Sequence, residues 1–549
     1  MSSSLAPSQP GLAKRWLQTC SKNHNSCKGY ENNRMPTRLL ALGEGVLRLV
    51  TTTGWDTAYR PQYATLSHCW GGIDFLKLTT TTLELFKKSI PLEQLTKTFR
   101  DTIAVARKLG IPYLWIDSLC IIQDSSEDWE TEAALMSSVY GSSTITIAAA
   151  GAVNGNSGLF LQPERYVWRV HIDVPTDSGP QGWDIVTSRI YETSVSKSAL
   201  SKRAWVLQER LLSPRILYFT DKELFWECGT LLACETFPER LPAECCRSPN
   251  FLKKGQSFSD TWPIVVLLYT QANLTFGRDK LVAISGIARI AQKENNDNYL
   301  AGMWRNEMEA QLCWHFEGSG TRPAPTEPYR APSWSWASID GEIPYRWWQE
   351  SGLEHDDYFA HVLDAWVIPL RPESPDIFGQ LGGGTLVISC SSMLSGKLMG
   401  NTNRLGYRRS LEITSVTPFP IIVEMDFKGE DNGQTFYVLP IVANVERSQS
   451  ENDRSEGNQS EGGQRKENDG ILDILTFDEG NLVAEESGDS VPLNRKTGKN
   501  DELKCLEDKL KAVEEGRLVW RRVEGLVLRP SSSKRGNFQE RDGSVPRIR

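Results

Sequence analysis

The segment LGIPYLWIDSLCIIQD, residues 109–124, decides the fold that we expect for this chain. Residues 113–117 are apolar at nearly every position, follow Pro112 and are too few for a helix, so they predict a buried central strand. Upstream, apolar side chains recur at helical spacing between Leu92 and Ala106, and Gly110 supplies a stop signal. A helix that leads into a buried strand is typical of a parallel α/β sheet.

The same pattern continues in both directions. Residues 63–67 and 144–149 predict strands, and a helix beginning near Asp128 precedes the second of them. This alternation predicts a parallel sheet of about five strands over roughly residues 60–210, with helices on both faces. Ligands bind beyond the carboxyl ends of the strands in such sheets, which points to the turns at residues 67–72 and 117–128.

Length and composition predict several domains, because 549 residues exceed one ordinary core. We expect an N-terminal leader (1–60), an α/β domain (61–215), a β-rich and tryptophan-rich region (216–446), a disordered polar insertion (447–500) and C-terminal strands that complete the second region (501–549). Residues 447–469 are almost free of apolar side chains and cannot offset the entropy of ordering. Residues 436–445, 518–520 and 523–528 again predict strands.

The bulk properties exclude several classes of protein. A net charge of −8 argues against a nucleic-acid binder, which needs a basic surface. The N-terminus has no apolar signal region, and the apolar stretches are far shorter than the roughly 20 residues of a membrane span. We therefore expect a cytoplasmic protein whose 11 cysteines are reduced thiols.

Cysteine and histidine occur close together near the N-terminus. Cys20, His24 and Cys27 have a spacing that could hold zinc, but a structural zinc site needs four ligands and only three are local. We therefore expect ordinary thiols on a helix and loop and no metal site, with zinc binding as the alternative.

Three blocks of sequence carry a resemblance to a known family. They are YATLSHCWGG (63–72), LGIPYLWIDSLCIIQD (109–124) with Trp129, Glu132, Met136 and Tyr140 after it, and RAWVLQERLLSPR (203–215). These blocks resemble, in order, the signature of the fungal heterokaryon-incompatibility (HET) domain. Shorter matches follow at residues 279–286, 301–304 and 331–338.

The resemblance implies a role in self/non-self recognition, in which the activated domain arrests growth or causes programmed cell death when incompatible fungal cells fuse. It also implies a remote similarity to TIR domains and hence a flavodoxin-like fold. Some TIR domains cleave NAD through a glutamate near a tryptophan. Trp129 and Glu132 resemble that pair, with a spacing one residue shorter. Self-association through the domain and an incompatibility partner protein are the expected interactions.

Glu132 is therefore the candidate catalytic residue. It shares a helix face with Trp129 and Met136, and a carboxylate on a buried face is costly unless something uses it. The alternative is a structural carboxylate that the helix dipole favours. The candidate substrate-binding residues lie mostly at the strand ends: Ser67, His68, Trp70, Gly71, Asp117 and Trp129.

Each of those residues also has a structural explanation. Asp117 could cap the turn that follows it, and residues 67–72 could form a glycine turn stabilised by its own side chains. Cys120 with His68 could form a nucleophile and base, whereas His68 and Cys69 point to opposite faces of a strand. Arg203, Gln208 and Glu209 are expected to form a structural network between domains, with a share in the site as the alternative.

Two hypotheses of function remain open at this point. The first is an effector enzyme that cleaves NAD, with NAD as substrate and no bound cofactor. The second is a non-catalytic TIR-like module that recruits partners. A cysteine hydrolase is a more distant third.

Overall fold

The computed structural model describes residues 10–27, 34–43, 45–56, 58–161, 169–176, 179–246, 252, 254, 256–314, 317–321, 328–344, 360–371 and 376–390, and beyond these the backbone of the strands given below. The chain divides into two units. The first consists of Met1–Phe276 and Val282–Asn295, and the second of Gly277–Leu281 and Asn296–Arg549.

The first unit contains eight helices and ten strands among its described residues. The helices are α1 Pro10–Asn23, α2 Leu83–Lys88, α3 Lys97–Leu109, α4 Asp117–Cys120, α5 Ser126–Gly141, α6 Ala204–Leu212, α7 Trp262–Thr270 and α8 Ser285–Asn295. The strands are β1 Arg38–Ala41, β2 Arg48–Thr51, β3 Tyr63–Ser67, β4 Tyr113–Trp115, β5 Ile145–Ala148, β6 Arg169–Thr176, β7 Gly179–Val186, β8 Arg215–Phe219, β9 Leu224–Cys228 and β10 Leu232–Cys234.

Eight of these strands form one mixed sheet in the order β10-β9-β8-β5-β3-β4-β1-β2. The four central strands β8, β5, β3 and β4 are parallel to one another. β1 pairs antiparallel with β4 and with β2, and β9 pairs antiparallel with β8 and with β10. Strands β6 and β7 form a separate hairpin.

Local sequence signals place the central elements where they were expected. Thr96 caps α3 by accepting a hydrogen bond from the Phe99 N–H, and Gly110 ends that helix in the left-handed conformation. Ser125 caps α5 in the same way through the Asp128 N–H. Tyr113–Trp115 form β4, an interior and nearly fully buried strand of the sheet, as predicted, but the strand ends before residue 117, where α4 begins.

The prediction of a wholly parallel sheet was wrong outside the four central strands. Only four residues, 220–223, separate β8 from β9, and a connection that short allows an antiparallel hairpin but not a parallel crossover. The second region was expected to begin at residue 216, whereas the structure places the strands that follow, β8 and β9, in this sheet. Likewise β1 and β2, from within residues 1–60, extend its other edge.

The sheet packs on both faces. Successive side chains of a strand point to opposite faces, and along β8 Leu217 and Phe219 enter one apolar cluster while Ile216 and Tyr218 enter another. The first cluster also takes buried residues of α1, α3 and α5, and the second takes Val206 of α6. A mixed α/β architecture is therefore present.

The second unit is rich in strands, as predicted. It contains α9 Met308–Gln311 and the strands β11 Tyr299–Leu300, β12 Met303–Trp304, β13 Glu317–Thr321, β14 Asp340–Glu342, β15 Ala360–Pro369, β16 Leu381–Cys390, β17 Leu394–Asn401, β18 Arg408–Ile413, β19 Ile421–Glu424, β20 Thr435–Arg447, β21 Leu472–Ile474, β22 Asp478–Leu482, β23 Leu518–Pro530 and β24 Arg547–Ile548. Seven of these strands form the sheet β21-β19-β18-β17-β20-β23-β22.

Tryptophans form part of the second unit's core. The Trp336 indole donates to the Gly302 carbonyl at 2.9 Å, and the Trp314 indole donates to the Trp334 carbonyl at 2.9 Å. Gly302 has a φ of +98°, and a Cβ there would lie 2.7 Å from the Trp336 ring. The segments 301–304 and 331–338 therefore pack against each other.

The strands predicted on either side of the polar insertion are present. Residues 436–445 lie in β20 and residues 518–528 lie in β23, and these two strands pair antiparallel. Residues 448–471 and 483–500 lie outside the described residues, so the disorder expected there stays a prediction, while residue 447 belongs to β20 and the short strands β21 and β22 lie at 472–474 and 478–482. Among the described residues, none of the helices is both long and apolar enough to span a membrane.

Candidate functional site

Polar side chains converge where the parallel strands β3 and β4 end. Ser67 is the last residue of β3, and Asp117 follows β4 by two positions. Because these neighbouring strands are parallel, their carboxyl ends meet at one edge of the sheet. We call the following residues the strand-end cluster: Ser67, His68, Trp70, Asp117, Arg203 and Glu209.

Asp117 is the carboxylate of this cluster that solvent can reach. Its Oδ2 accepts a hydrogen bond from the Trp70 indole at 2.9 Å, and its Oδ1 accepts one from the Ser118 N–H at 2.7 Å. The side chain is 23% exposed. Two donors thus fix the orientation of a carboxylate that a ligand could still contact.

His68 lies behind Asp117 and is buried. Its Nδ1 is 3.8 Å from Asp117 Oδ1, and its ring meets the Phe99 ring edge-on at a centroid distance of 5.1 Å. Burial lowers the pKa of His68 to about 4, although the Asp117 charge opposes this shift. The imidazole is therefore neutral near pH 7, and its contact with Asp117 is not an ion pair at that pH.

Glu209, on α6, forms the buried floor of the cluster. Burial raises its pKa to about 7, while Arg203, the Ser67 hydroxyl and the Tyr140 hydroxyl stabilise the charged form less strongly. The Arg203 guanidinium is not devoted to Glu209, because it also donates a hydrogen bond to the His68 carbonyl oxygen. The cluster therefore holds one carboxyl group that exchanges its proton near neutral pH.

Glu132, on α5, belongs to a second cluster of polar side chains, which also includes Arg38 of β1. We call Arg38, Cys120, Asp128 and Glu132 the helix-side cluster. The Arg38 guanidinium lies 3.5 Å from Glu132, donates to both oxygens of Asp128 at 2.6–2.7 Å and donates to the Cys120 carbonyl at 2.6 Å. Glu132 is 1% exposed. Burial raises its pKa, although Thr37 and Arg38 favour the charge.

The cysteines beside these clusters are poor nucleophiles. Cys120 is fully buried, and burial raises the pKa of its thiol to about 12. Burial also raises the pKa of the Cys69 thiol. Neither thiol is ionised to a useful extent near pH 7, which argues against the cysteine-hydrolase hypothesis.

Comparison with known families decides what this domain is. Residues 63–209 match the family model described as heterokaryon incompatibility protein (HET). These residues form a HET domain. No curated protein and no solved structure matched the chain. The match supports a heterokaryon-incompatibility-type function.

The structure explains why the three sequence blocks of the HET domain occur together. The first block supplies Ser67, His68 and Trp70, the second supplies Asp117, and the third supplies Arg203 and Glu209. All three therefore meet in the strand-end cluster. Trp129, also proposed for substrate binding, packs edge-on against Trp205 of the third block, with ring centroids 6.4 Å apart.

The glycine turn of the first block has a steric cause. Gly71 and Gly72 have φ values of +71° and +67°, and a Cβ on Gly71 would lie 2.1 Å from the Asn154 side chain. Gly71 thus lets the turn pack closely while Trp70 reaches Asp117. This is a structural role at a position that the sequence analysis proposed for substrate binding.

Two parts of the site were not found by sequence analysis. Arg38, which neutralises the helix-side cluster, lies in a short strand with no motif around it. Tyr140 was assigned only to a helix face, yet it contributes to the electrostatics of Glu209. Of the residues expected to form a network, Gln208 accepts a hydrogen bond from the Gly286 N–H at 2.7 Å and so joins α6 to α8.

Proposed function

We propose that this chain is a heterokaryon-incompatibility effector, whose HET domain arrests growth or kills the fungal cell by cleaving NAD at the strand-end cluster. The observation that carries the proposal is the meeting of all three HET sequence blocks around the oriented, partly exposed carboxylate of Asp117. A ligand-binding position beyond the carboxyl ends of parallel strands is the usual one for this architecture.

The chemistry of NAD cleavage suits such a carboxylate. The bond between the ribose C1′ and the nicotinamide nitrogen breaks with its electrons passing to the pyridinium ring, water adds to C1′, and one proton is released. The ribose becomes oxocarbenium-like as the bond breaks, and a carboxylate held beside it stabilises that charge. In this proposal Asp117 has that role, and the half-buried Trp70 offers an aromatic face to a base.

Glu132, the residue selected by similarity to TIR domains, stays a second catalytic candidate. At 1% exposure and with Arg38 at 3.5 Å, it meets a ligand only if α5 moves. The structural explanation is an ion pair with Arg38 inside the fold, which needs no substrate. For this reason the proposal gives Asp117 priority.

A non-catalytic recruiting module is the second candidate function. The observation in its favour is that Asp117 and Arg203, two charged groups of the strand-end cluster, already have hydrogen-bond partners within the domain. Both oxygens of Asp117 accept hydrogen bonds within the domain, and Arg203 donates to a backbone carbonyl. In this version self-association and a partner protein would transmit the death signal.

The two functions differ in what happens to NAD. We expect that inducing the full-length chain in a fungal cell lowers NAD, releases an equal amount of nicotinamide, and does so before growth stops. Growth arrest at constant NAD would instead support the recruiting module. An induced chain that changes neither growth nor NAD would contradict the effector proposal itself.

A further inference from the structure

Four potential metal ligands meet at the junction of the N-terminal helix and the sheet. Cys20 lies on α1, His24 and Cys27 follow that helix, and Cys228 is the last residue of β9. One ligand atom from each residue lies within 4.8 Å of all the others. The fourth ligand, which the local sequence lacks, thus comes from about 200 residues further along the chain. We propose that these residues form a structural zinc site.

The spacing of the ligand atoms fits a tetrahedral zinc ion. With bonds of about 2.3 Å to sulfur and about 2.0 Å to nitrogen, a sulfur and a nitrogen ligand should lie roughly 3.5 Å apart. The Cys228 Sγ and the His24 Nδ1 are 3.5 Å apart. Backbone hydrogen bonds from the His24 N–H to the Cys20 carbonyl (3.1 Å) and from the Cys27 N–H to the His24 carbonyl (3.2 Å) hold the three local ligands in a tight turn.

The surroundings fit the charge of a zinc ion with three thiolates, which is −1 overall. The Arg215 Nε lies 3.1 Å from the Cys20 Sγ, and its Nη2 donates to the Cys27 carbonyl at 3.0 Å. The Leu231 N–H donates to the Cys228 Sγ at 3.3 Å. Such donors orient metal-bound thiolates and compensate their charge.

Burial and ligand number assign the ion a structural role. The three cysteines are between 1% and 6% exposed, and four protein ligands leave no open position for a substrate. A disulfide would use only two of the sulfurs and would leave the third thiol and the imidazole without a reason to converge. A zinc ion at this position would therefore hold segments of the chain together, and we call this site the zinc clamp.

The zinc clamp would join α1 to the sheet that carries the strand-end cluster. Beside it, Trp16 of α1 packs against Trp226 of β9 with ring centroids 6.1 Å apart, and the Trp16 indole donates to the Pro238 carbonyl at 2.7 Å. Because a preformed site is rare in an unfolded chain, zinc binding contributes to folding stability. The ion would hold the N-terminal segment in place without touching the chemistry.

The test measures the metal content of the purified full-length chain. We expect one zinc ion per chain, its replacement by Co²⁺ with the visible absorption of tetrahedral thiolate coordination, and a lower melting temperature after chelation. Cys228→Ser should lose the metal. Cys234→Ser, a buried cysteine on the neighbouring strand β10, should keep it.

A third variant covers the case in which Cys228→Ser fails to fold. His24→Cys still offers four ligands, so it should bind one zinc ion and shift the Co²⁺ spectrum towards that of a four-thiolate site. An unmodified chain without zinc that also fails to bind Co²⁺ through thiolates would overturn the proposal. So would a Cys20–Cys27 disulfide found by mass spectrometry, or equal zinc content in Cys228→Ser and the unmodified chain.

Discussion

The HET domain contains two clusters of buried and partly buried acid groups, which differ in the contacts that their arginine makes. In the helix-side cluster Arg38 binds Asp128 through both oxygens and lies beside Glu132, so the charges compensate one another inside the fold. In the strand-end cluster Arg203 donates to a backbone carbonyl and leaves Glu209 with a pKa of about 7. Burial of a carboxylate alone therefore does not mark a functional site. The difference that we consider important is whether an arginine within the fold already pairs with the carboxylate.

The largest expected effect concerns the two arginines. Arg38→Met should lower the free energy of unfolding by about 3–5 kcal/mol, because it removes the two-oxygen ion pair with Asp128 and leaves two neighbouring carboxyl groups without a cation. Arg203→Met should cost less, roughly 1.5–3 kcal/mol, since it removes a charged hydrogen bond to a carbonyl. Urea denaturation of both variants measures the difference. Equal losses would remove the distinction between the clusters.

The next effect is a pair of opposite pH dependences. The folded-state pKa of Glu209, about 7, lies above its usual value of 4.5, so its protonation stabilises the fold fully below pH 4.5 and this contribution is lost as the pH rises to 7. The folded-state pKa of His68, about 4, lies below 6.5, so its contribution is present above pH 6.5 and lost as the pH falls to 4. Each contribution amounts to about 3 kcal/mol over its range.

Single variants should separate these two contributions. Glu209→Gln should leave a chain that loses stability on acidification from pH 6.5 to 4.5, and His68→Gln should leave one that gains stability over the same range. Denaturation curves at pH 4.5, 5.5 and 6.5 measure both slopes. Parallel slopes in the two variants would show that these groups do not titrate as the strand-end cluster requires.

The smallest expected effect is at Glu132. Glu132→Gln keeps the shape of the side chain, and burial already disfavours its charge, so the free energy of unfolding should change by less than about 1 kcal/mol. Asp128→Asn is the matched comparison within the same cluster and should cost roughly 1.5–3 kcal/mol, because it weakens the two-oxygen contact with Arg38. A larger loss for Glu132→Gln than for Asp128→Asn would reverse the roles assigned to these carboxylates.

Sequence could predict the centre of this fold but not its edges. The strand from residue 113, the end of α3 at Gly110 and the proximity of Trp70 to Asp117 follow from local patterns and from the rule that parallel strands end at one edge. Arg38 beside Glu132 and Cys228 beside Cys20 depend on pairing between distant segments, which no local pattern encodes. The antiparallel edge strands of the sheet were missed for the same reason.

The central claim is that the strand-end cluster, rather than Glu132, carries the chemistry. The most direct measurement is the rate of NAD loss after inducing the full-length chain, compared between Asp117→Asn and Glu132→Gln at equal protein levels. Asp124→Asn changes an exposed carboxylate seven positions further along, whose Oδ2 accepts a hydrogen bond from the Thr80 hydroxyl; it is the control and should leave the rate unchanged.

We predict that Asp117→Asn slows NAD loss by roughly 10²–10³-fold and abolishes growth arrest, because it removes a charge that stabilises the transition state. Glu132→Gln should stay within a few-fold of the unmodified rate. Loss of activity in Glu132→Gln together with full activity in Asp117→Asn would contradict the account.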